Sequence, residues 1–133
     1  MFKSDDFSKC QNEQQFKMRY LQKCNRENFY VFCIETEETV KGFPDVMFYD
    51  IRDSTTFFEE FKFTKTGKIK FQPTQPAFYK AHPAMDIHIV AYNAKSRTVH
   101  TFHVNTLFDK DSRYYMNEKA EVDLNKAERL ILF

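Results

Sequence analysis

Two carboxylates and a lysine stand at spacings that suit metal-assisted chemistry on a phosphate. Glu60 and Lys62 belong to an apolar, β-rich stretch, and alternation along a strand would put both on one face. Opposite charges among phenylalanines cost free energy unless they are paired or bind a metal. If segments 46–51 and 55–64 form a hairpin, Asp45 at the start of the first lies beside Glu60 on the second.

These side chains suit a hard divalent cation. Mg²⁺ takes one or two carboxylates and keeps waters and substrate phosphates as its other ligands. We expect Asp45 and Glu60 to supply carboxylate oxygens and the Phe61 backbone carbonyl to supply a third ligand. The ion would polarise a phosphate oxygen and acidify a bound water, and Lys62 would orient that water or stabilise charge on the phosphate. Glu59 would face away from Lys62, so Glu60 is the better ligand.

Simpler interpretations of the same residues stay open. Asp45 could be an ordinary turn residue, and Glu60 with Lys62 could form an ion pair on a solvated face, since residues at i and i+2 lie side by side. Asp50 is expected to serve the hairpin turn. The four histidines show no metal-binding pattern, and we expect His88 to face solvent from its strand.

Periodicity and turn residues predict the elements that would position these side chains. Phe16, Tyr20 and Cys24 recur at helical spacing and predict an amphipathic helix over 10–27, with Glu13 on its apolar face. The further elements are strands 29–35, 46–51 and 55–64, a loop over 65–70, helix 73–82, strands 85–93 and 97–104, an irregular stretch over 105–118, and a helix over 122–132 capped near Asp123. This order predicts one α/β domain over 1–133 with a mixed sheet.

Composition narrows the function classes. The chain has 133 residues, of which 42% are hydrophobic, enough for one core. Its 2 glycines cannot build a glycine-rich phosphate loop, so we expect no nucleotide cofactor. No apolar run approaches the roughly 20 residues of a membrane helix, and no export signal is recognisable, so we expect an intracellular protein with no membrane partner. The 3 cysteines match no zinc motif and are expected to be reduced, with Cys33 in the core.

The net charge of +1 conceals two blocks of opposite sign. The acids of segment 34–60 are Glu35, Glu37, Glu38, Asp45, Asp50, Asp53, Glu59 and Glu60, whereas segment 61–85 contains lysines and no acid. The plain interpretation is two solvated faces, and the functional one is a cation site beside a track for a nucleic-acid backbone. The residues expected to bind the backbone are Lys65, Lys68, Lys70 and Lys80, with Tyr79 stacking on a base or sugar.

The order of these motifs resembles the signature of the PD-(D/E)XK nuclease superfamily. Pro44-Asp45 is followed by Glu60-Phe61-Lys62, as in that signature. The leading glycine of Gly42-Phe43-Pro44-Asp45-Val46 is similar to the G-x-P-D run of the VRR-NUC branch and of small phage nucleases. The archaeal-type Holliday junction resolvases are a neighbouring branch of similar chain length. The resemblance covers about residues 10 to 105.

The resemblance implies a restriction-endonuclease-like core of order α-β-β-β-α-β, with helices flanking a central mixed sheet. The segment 74–79 looks like the branch's downstream helix, whose glutamine lies near the site, so Gln75 joins the expected catalytic set. Glu13 fits the family's acidic residue on the first helix and would bind the metal directly or through water. The implied cofactor is Mg²⁺ or Mn²⁺.

The implied function is a divalent-metal-dependent endonuclease that hydrolyses DNA phosphodiester bonds. The enzyme would select branched or flap DNA, or it would nick DNA. A homodimer is the implied assembly, because homodimers are common in both branches. A phage or mobile-element origin fits the resemblance. Two alternatives stay open: a catalytically silent nuclease-fold module that binds DNA or protein, such as a phage accessory or inhibitor protein, and an α/β module that binds RNA.

Overall fold

The computed structural model describes residues 1–34 and 41–131. Its elements in chain order are β1 (Phe2–Lys3), α1 (Glu13–Gln22), β2 (Phe29–Cys33), β3 (Val46–Asp50), β4 (Thr55–Thr64), β5 (Lys68–Lys70), α2 (Thr74–Ala81), β6 (Ile87–Asn93), β7 (Thr98–His103), a 3₁₀ helix (Val104–Phe108), β8 (Glu121–Asp123) and α3 (Leu124–Ile131). The predicted order of a helix, three strands, a helix and a strand pair is confirmed. Within the described ranges, no helix has the length and apolar character needed to cross a membrane.

Helix α1 is shorter at both ends than the predicted range 10–27. The Asn12 side chain accepts a hydrogen bond from the Gln15 backbone N–H and so caps the helix at its start. The helix ends at Gln22, and the N–H of Lys23 closes the last turn on carbonyls of the preceding residues. Phe16 and Leu21 are its buried residues, as expected of an amphipathic helix packed on a sheet.

The central sheet has six strands in the order β1-β7-β6-β4-β3-β2. Strands β4 and β6 pair in parallel, whereas the other neighbours in this sheet pair antiparallel, so the predicted mixed sheet is confirmed. A parallel pair needs a crossover connection, and α2 lies within the one that joins β4 to β6. The helix predicted to carry Gln75 therefore packs close to the middle of the sheet.

The two faces of the sheet carry separate apolar cores. On one face, Phe61 of β4 packs with Phe16 of α1 and with Tyr92. On the other face, Ile89 of β6 packs in a core with Tyr79 of α2 and with residues of α3. Because side chains alternate along β4, Glu60 and Lys62 project to the α2 face while Phe61 projects to the α1 face.

Several element predictions are corrected by long-range pairing. The loop predicted over 65–70 contains β5, which pairs antiparallel with β8 in a separate two-stranded sheet. The stretch 105–118 was predicted to be irregular, but its first residues belong to the 3₁₀ helix Val104–Phe108. Asp123 does cap α3, because its Oδ1 accepts the N–H groups of Asn125 and Lys126 at 3.0 and 3.2 Å.

One of the predicted core positions is exposed. Cys33 ends β2, which is an edge strand of the sheet, and its side chain is exposed. The apolar run around it resembles a buried strand, but only one side of an edge strand has a neighbour. The predicted strand 29–35 reaches Cys33, and its last residue, Glu35, lies outside the described residues together with Glu37 and Glu38 of the acidic block.

Candidate active site

Asp45 lies where strands β3 and β4 stop pairing. The ladder between them ends at the pair Val46–Glu59, so β3 provides no main-chain partner for Phe61. The Asp45 carboxylate takes that place, because its Oδ2 accepts the Phe61 N–H at 3.1 Å. The N–H and C=O of one strand residue point to the same side. The Phe61 carbonyl therefore faces the same gap as the Asp45 carboxylate.

Gly42 lets the segment that carries Asp45 approach α2 closely. Its φ is +89°, a conformation that residues with a side chain rarely adopt. A Cβ at this position would lie 2.2 Å from the Thr74 carbonyl oxygen and 2.9 Å from the Phe78 Cβ. The glycine is thus required by both conformation and space, and it brings Asp45 next to the helix that carries Gln75.

Gln75 connects the two charged residues of β4. Its amide nitrogen donates to Glu60 Oε1 at 2.5 Å, and its amide oxygen accepts from Lys62 Nζ at 3.0 Å. The same oxygen accepts the Gln72 backbone N–H at 2.9 Å, which fixes the amide at the start of α2. Lys62 Nζ also lies 4.9 Å from the centroid of the Phe71 ring. The lysine is therefore held in place on two sides.

Glu60 is a buried carboxylate beside a second carboxylate. Only 4% of the residue is exposed. Burial raises the pKa of Glu60 far above its usual range, and a hydrogen bond with the Asp45 carboxyl and its charge raise it further. No direct ion pair joins Glu60 to Lys62 among the described residues. The alternative of an ion pair on a solvated face is therefore wrong for these two residues.

Glu13, on helix α1, is the remaining residue that was predicted to bind the metal. It lies in the first turn of α1, and much of the residue is exposed. The protein around its carboxyl raises the pKa of Glu13, an effect that Lys62 opposes and Asp45 reinforces. The Glu13 carboxyl therefore lies within electrostatic range of Asp45 and Lys62, and no hydrogen bond joins it to either one among the described residues.

Asp45, Glu60 and Gln75 open into one cleft of about 270 Å³. It is lined by Lys41, Gly42, Phe43, Asp45, Glu60, Gln72, Thr74 and Gln75. Carboxylate and amide groups predominate at the wall formed by β4 and α2, as a site for a cation and a phosphate would require.

The lysines that were expected to bind a backbone are exposed, but Tyr79 is not. Lys65, Lys68, Lys70 and Lys80 are all exposed. Tyr79 is 3% exposed and packs in the core between α2 and the sheet, so the prediction that it stacks on a base or sugar is wrong. Tyr79 follows Gln75 by one helical turn. At that spacing the two side chains lie on the same face of α2, which packs on the sheet.

Glu59 faces away from Lys62, as expected, and is buried on the α1 face. It is 6% exposed, and burial raises the pKa of Glu59 to about 7. No hydrogen bond or ion pair of its carboxylate is present within residues 1–34 and 41–131.

Asp50 serves the hairpin turn as predicted, because its carboxylate accepts the Arg52 N–H and guanidinium at 2.9 to 3.0 Å.

The histidines form two groups that the sequence did not predict. His88 and His103 both approach Asp86, so these three side chains form one group in space. His100 is fully buried and its Nε2 lies 3.0 Å from Glu128 Oε1. The first group results from the cross-strand pairing of His88 with His103. That pairing depends on the register of β6 and β7.

The fold matches that of a solved DNA-processing protein. A structure of Hjc, a Holliday junction resolvase from the archaeal hyperthermophile Archaeoglobus fulgidus, superposes with a TM-score of 0.61 at 13% sequence identity. The match covers 87% of this chain and 92% of that one. No family model matches the chain, and no curated protein matches it. The restriction-endonuclease-like fold that the resemblance implied is therefore confirmed.

Proposed function

We propose that the protein is a divalent-metal-dependent nuclease that hydrolyses phosphodiester bonds in branched DNA. The observation that carries the proposal is that Asp45, Glu60 and Gln75 line one cleft, where Gln75 also accepts a hydrogen bond from Lys62. These residues come from strand β4, helix α2 and the segment before β3, and each forms a side-chain hydrogen bond. The shared fold with a Holliday junction resolvase supports branched DNA as the substrate class.

The oxygen atoms at the cleft suit a hard cation. The charge of Asp45 raises the pKa of the neighbouring Glu60 carboxyl, and a divalent cation bound between the two residues would oppose that effect. The Phe61 carbonyl faces the same gap, and Glu13 would act directly or through water. Mg²⁺ or Mn²⁺ held here would supply Lewis-acid activation of the phosphate and of an attacking water.

Lys62 has the position of a phosphate-binding or water-binding cation. Gln75 Oε1 accepts one of its N–H groups at 3.0 Å, which leaves two ammonium protons for other acceptors. An ammonium fixed in this way is arranged before the charge develops on the phosphate, so it need not reorganise during the reaction. We assign Lys62 to stabilising that charge, and Gln75 to positioning Lys62.

The DNA backbone would follow the exposed lysines of segment 65–80. Lys68 and Lys70 lie on one face of β5, on either side of the buried Ile69, and Lys65 precedes them. Contacts of this kind neutralise phosphates and give no base specificity. A four-way junction has two-fold related strands, so we also propose that the active form is a homodimer with one cleft for each cut strand.

A substrate panel tests the proposal. Purified protein would be incubated with single-stranded, duplex, flap and four-way-junction DNA and with RNA, each with Mg²⁺ or Mn²⁺. We expect cleavage of the branched DNA, and we expect Asp45→Asn and Lys62→Met each to lower the rate by at least about 100-fold. The matched controls are Asp111→Asn and Lys110→Met, exposed residues that should leave the rate unchanged.

The panel also distinguishes the alternatives. If the protein binds branched DNA but neither metal supports cleavage, the chain is a catalytically silent binding module. Cleavage of RNA alone would replace the DNA substrate. Equal rates for the parent, Asp45→Asn and Lys62→Met, with folding confirmed by circular dichroism, would show that the cleft is not the active site.

A further inference from the structure

A second set of ligand-forming side chains lies on the other face of the sheet. Asp86 directly precedes β6, His88 is in β6, and His103 ends β7. Residues at i and i+2 share a face of a strand, which brings Asp86 beside His88. The antiparallel register of β6 and β7 then places His103 directly opposite His88.

The side-chain atoms of this cluster converge on a single point. Asp86 Oδ1 lies 2.7 Å from His88 Nε2 and 3.2 Å from His103 Nε2. The two rings are nearly perpendicular, at 83° with centroids 5.1 Å apart, and one ligand atom from each residue lies within 4.8 Å of the others. Ligands at about 2.1 Å from a tetrahedral Zn²⁺ are about 3.4 Å apart, so small side-chain movements would admit the ion.

This cluster is separate from the cleft that holds Asp45. His88 is in register with Glu59 of β4, and its neighbour Ile89 is in register with Glu60. Residues in register share a face of the sheet, and successive residues alternate between faces. His88 therefore projects to the α1 face, whereas Glu60 projects to the α2 face. The sheet itself lies between the two sets of residues.

The chemistry of the two sets also differs. Two imidazoles and one carboxylate suit a first-row transition metal such as Zn²⁺, while Mg²⁺ prefers oxygen ligands alone. Three protein ligands leave a fourth position open for water or another donor. Asp86 and both histidines keep part of their surface exposed, so solvent reaches that position.

One hydrogen bond opposes metal binding. The Asn105 backbone N–H donates to His103 Nδ1 at 3.1 Å, so in the neutral ring the proton is on Nε2, which faces Asp86. Binding a metal through Nε2 would move that proton to Nδ1 and remove the acceptor of Asn105. The site should therefore bind Zn²⁺ reversibly, with an affinity on the order of micromolar, below that of a structural zinc.

We propose that Asp86, His88 and His103 form a mononuclear Zn²⁺ site that joins β6 to β7 on the face opposite the cleft. The ion would bind the folded chain and not the unfolded one, so it would also stabilise the strand pair. This site does not depend on the proposed nuclease activity.

Calorimetric titration with Zn²⁺ tests the site. The chain would first be freed of metal with a chelator and would carry Asp45→Asn, so that the cleft contributes little to the signal. We expect about one Zn²⁺ per chain, and a loss of affinity of at least about 10-fold on His88→Gln or His103→Gln. His82→Gln is the matched control. His82 is exposed at the C-terminal end of α2 and belongs neither to the cleft nor to the Asp86 cluster.

A second measurement needs no variant of the cluster. In the Asp45→Asn protein, Zn²⁺ should shift the imidazole nitrogen signals of His88 and His103 in the nuclear magnetic resonance spectrum, and should leave those of His82 unchanged. A titration without binding below about millimolar Zn²⁺ would overturn the proposal. So would equal affinity of the His88→Gln and His103→Gln proteins with their parent, or shifts confined to His82. Any of these three results would leave Asp86 as an acceptor of imidazole N–H groups with no role in metal binding.

Discussion

The side-chain amide of Gln75 donates a 2.5 Å hydrogen bond to the Glu60 carboxylate across the boundary between α2 and β4. The oxygen of that amide accepts from Lys62, so one residue of the helix fixes both charged residues of the strand. Gln75 can do this because an amide is a donor and an acceptor at once. A carboxylate at position 75 could serve Lys62 but would repel Glu60.

Substituting Gln75 should therefore lower the rate more than the affinity. We expect Gln75→Ala to reduce kcat by about 10- to 100-fold, as the loss of partners that orient site residues typically does. KM should change little, because Gln75 positions Lys62 and does not bind the backbone. Steady-state cleavage of junction DNA measures both constants. Gln72→Ala is the matched control, since Gln72 lines the same cleft and only its backbone N–H contacts Gln75. A KM effect without a kcat effect would contradict this role.

Gly42→Ala should damage both stability and the site. A side chain at positive φ costs about 1–2 kcal/mol, and the new Cβ would also meet the Thr74 carbonyl oxygen. We expect the free energy of unfolding in urea to fall by at least that amount, and the cleavage rate to fall as Asp45 moves away from α2. Lys41→Ala, at the exposed neighbouring position, should leave the free energy of unfolding nearly unchanged. Equal stability of the two variants would show that the segment is not fixed on the helix.

Tyr79→Phe should stabilise the chain. The Tyr79 hydroxyl is buried and has no hydrogen-bond partner in the described part of the chain. An unsatisfied buried hydroxyl costs about 1–3 kcal/mol, so its removal should raise the free energy of unfolding by about 1 kcal/mol. Tyr114→Phe should do the opposite, because the Tyr114 hydroxyl lies 2.9 Å from His100 Nδ1. Denaturant unfolding of both variants checks the contrast, and a loss of stability in Tyr79→Phe would indicate a partner for that hydroxyl.

The cluster around Glu128 should make stability fall at acid pH. Ser96, Thr98 and His100 contact Glu128 Oε1. Partial burial alone would raise the pKa of Glu128, but these hydrogen bonds outweigh it and lower the pKa. The stabilisation is thus present above the ordinary value of 4.5 and is lost as the pH falls through the lowered value.

His100 acts in the same direction. Burial lowers the pKa of His100 below 6.5, so the unfolded chain binds the proton first and stability decreases as the pH falls below 6.5. Glu128→Gln should reduce the free energy of unfolding at neutral pH by about 1–3 kcal/mol and flatten its decline below pH 4.5, when stability is followed from pH 7 to about pH 3. Urea unfolding over that range measures both effects. Glu118→Gln, at an exposed position, should follow the parent curve, and an unchanged slope in Glu128→Gln would contradict the assignment.

Much of the fold followed from local patterns. The alternation of Glu60, Phe61 and Lys62 was sufficient to predict which residues share a face of β4, because side-chain direction in a strand depends only on position. The hairpin of β3 and β4 followed from two β-rich segments and a polar turn. The position of Gln75 near the site was implied by the resemblance, since nothing local connects position 75 to position 60.

Other features depended on which distant segments meet. The spacing of the histidines in the chain did not indicate a cluster, because His88 and His103 approach only through the register of β6 and β7. Likewise, β5 is too short to be recognised without its partner β8, and hydrophobic periodicity did not distinguish an exposed Cys33 from a buried one. In each case the missing information was a neighbour far away in sequence.

Local patterns were enough to predict the order of the elements, the face of each side chain on β4, and the acids and the lysine that could bind a metal and a phosphate. The burial of Tyr79, the position of Gln75 between Glu60 and Lys62, and the two histidine neighbours of Asp86 depend on tertiary contacts. Local geometry repeats with a fixed period along the chain, whereas register and crossover connections are set by the packing of whole elements.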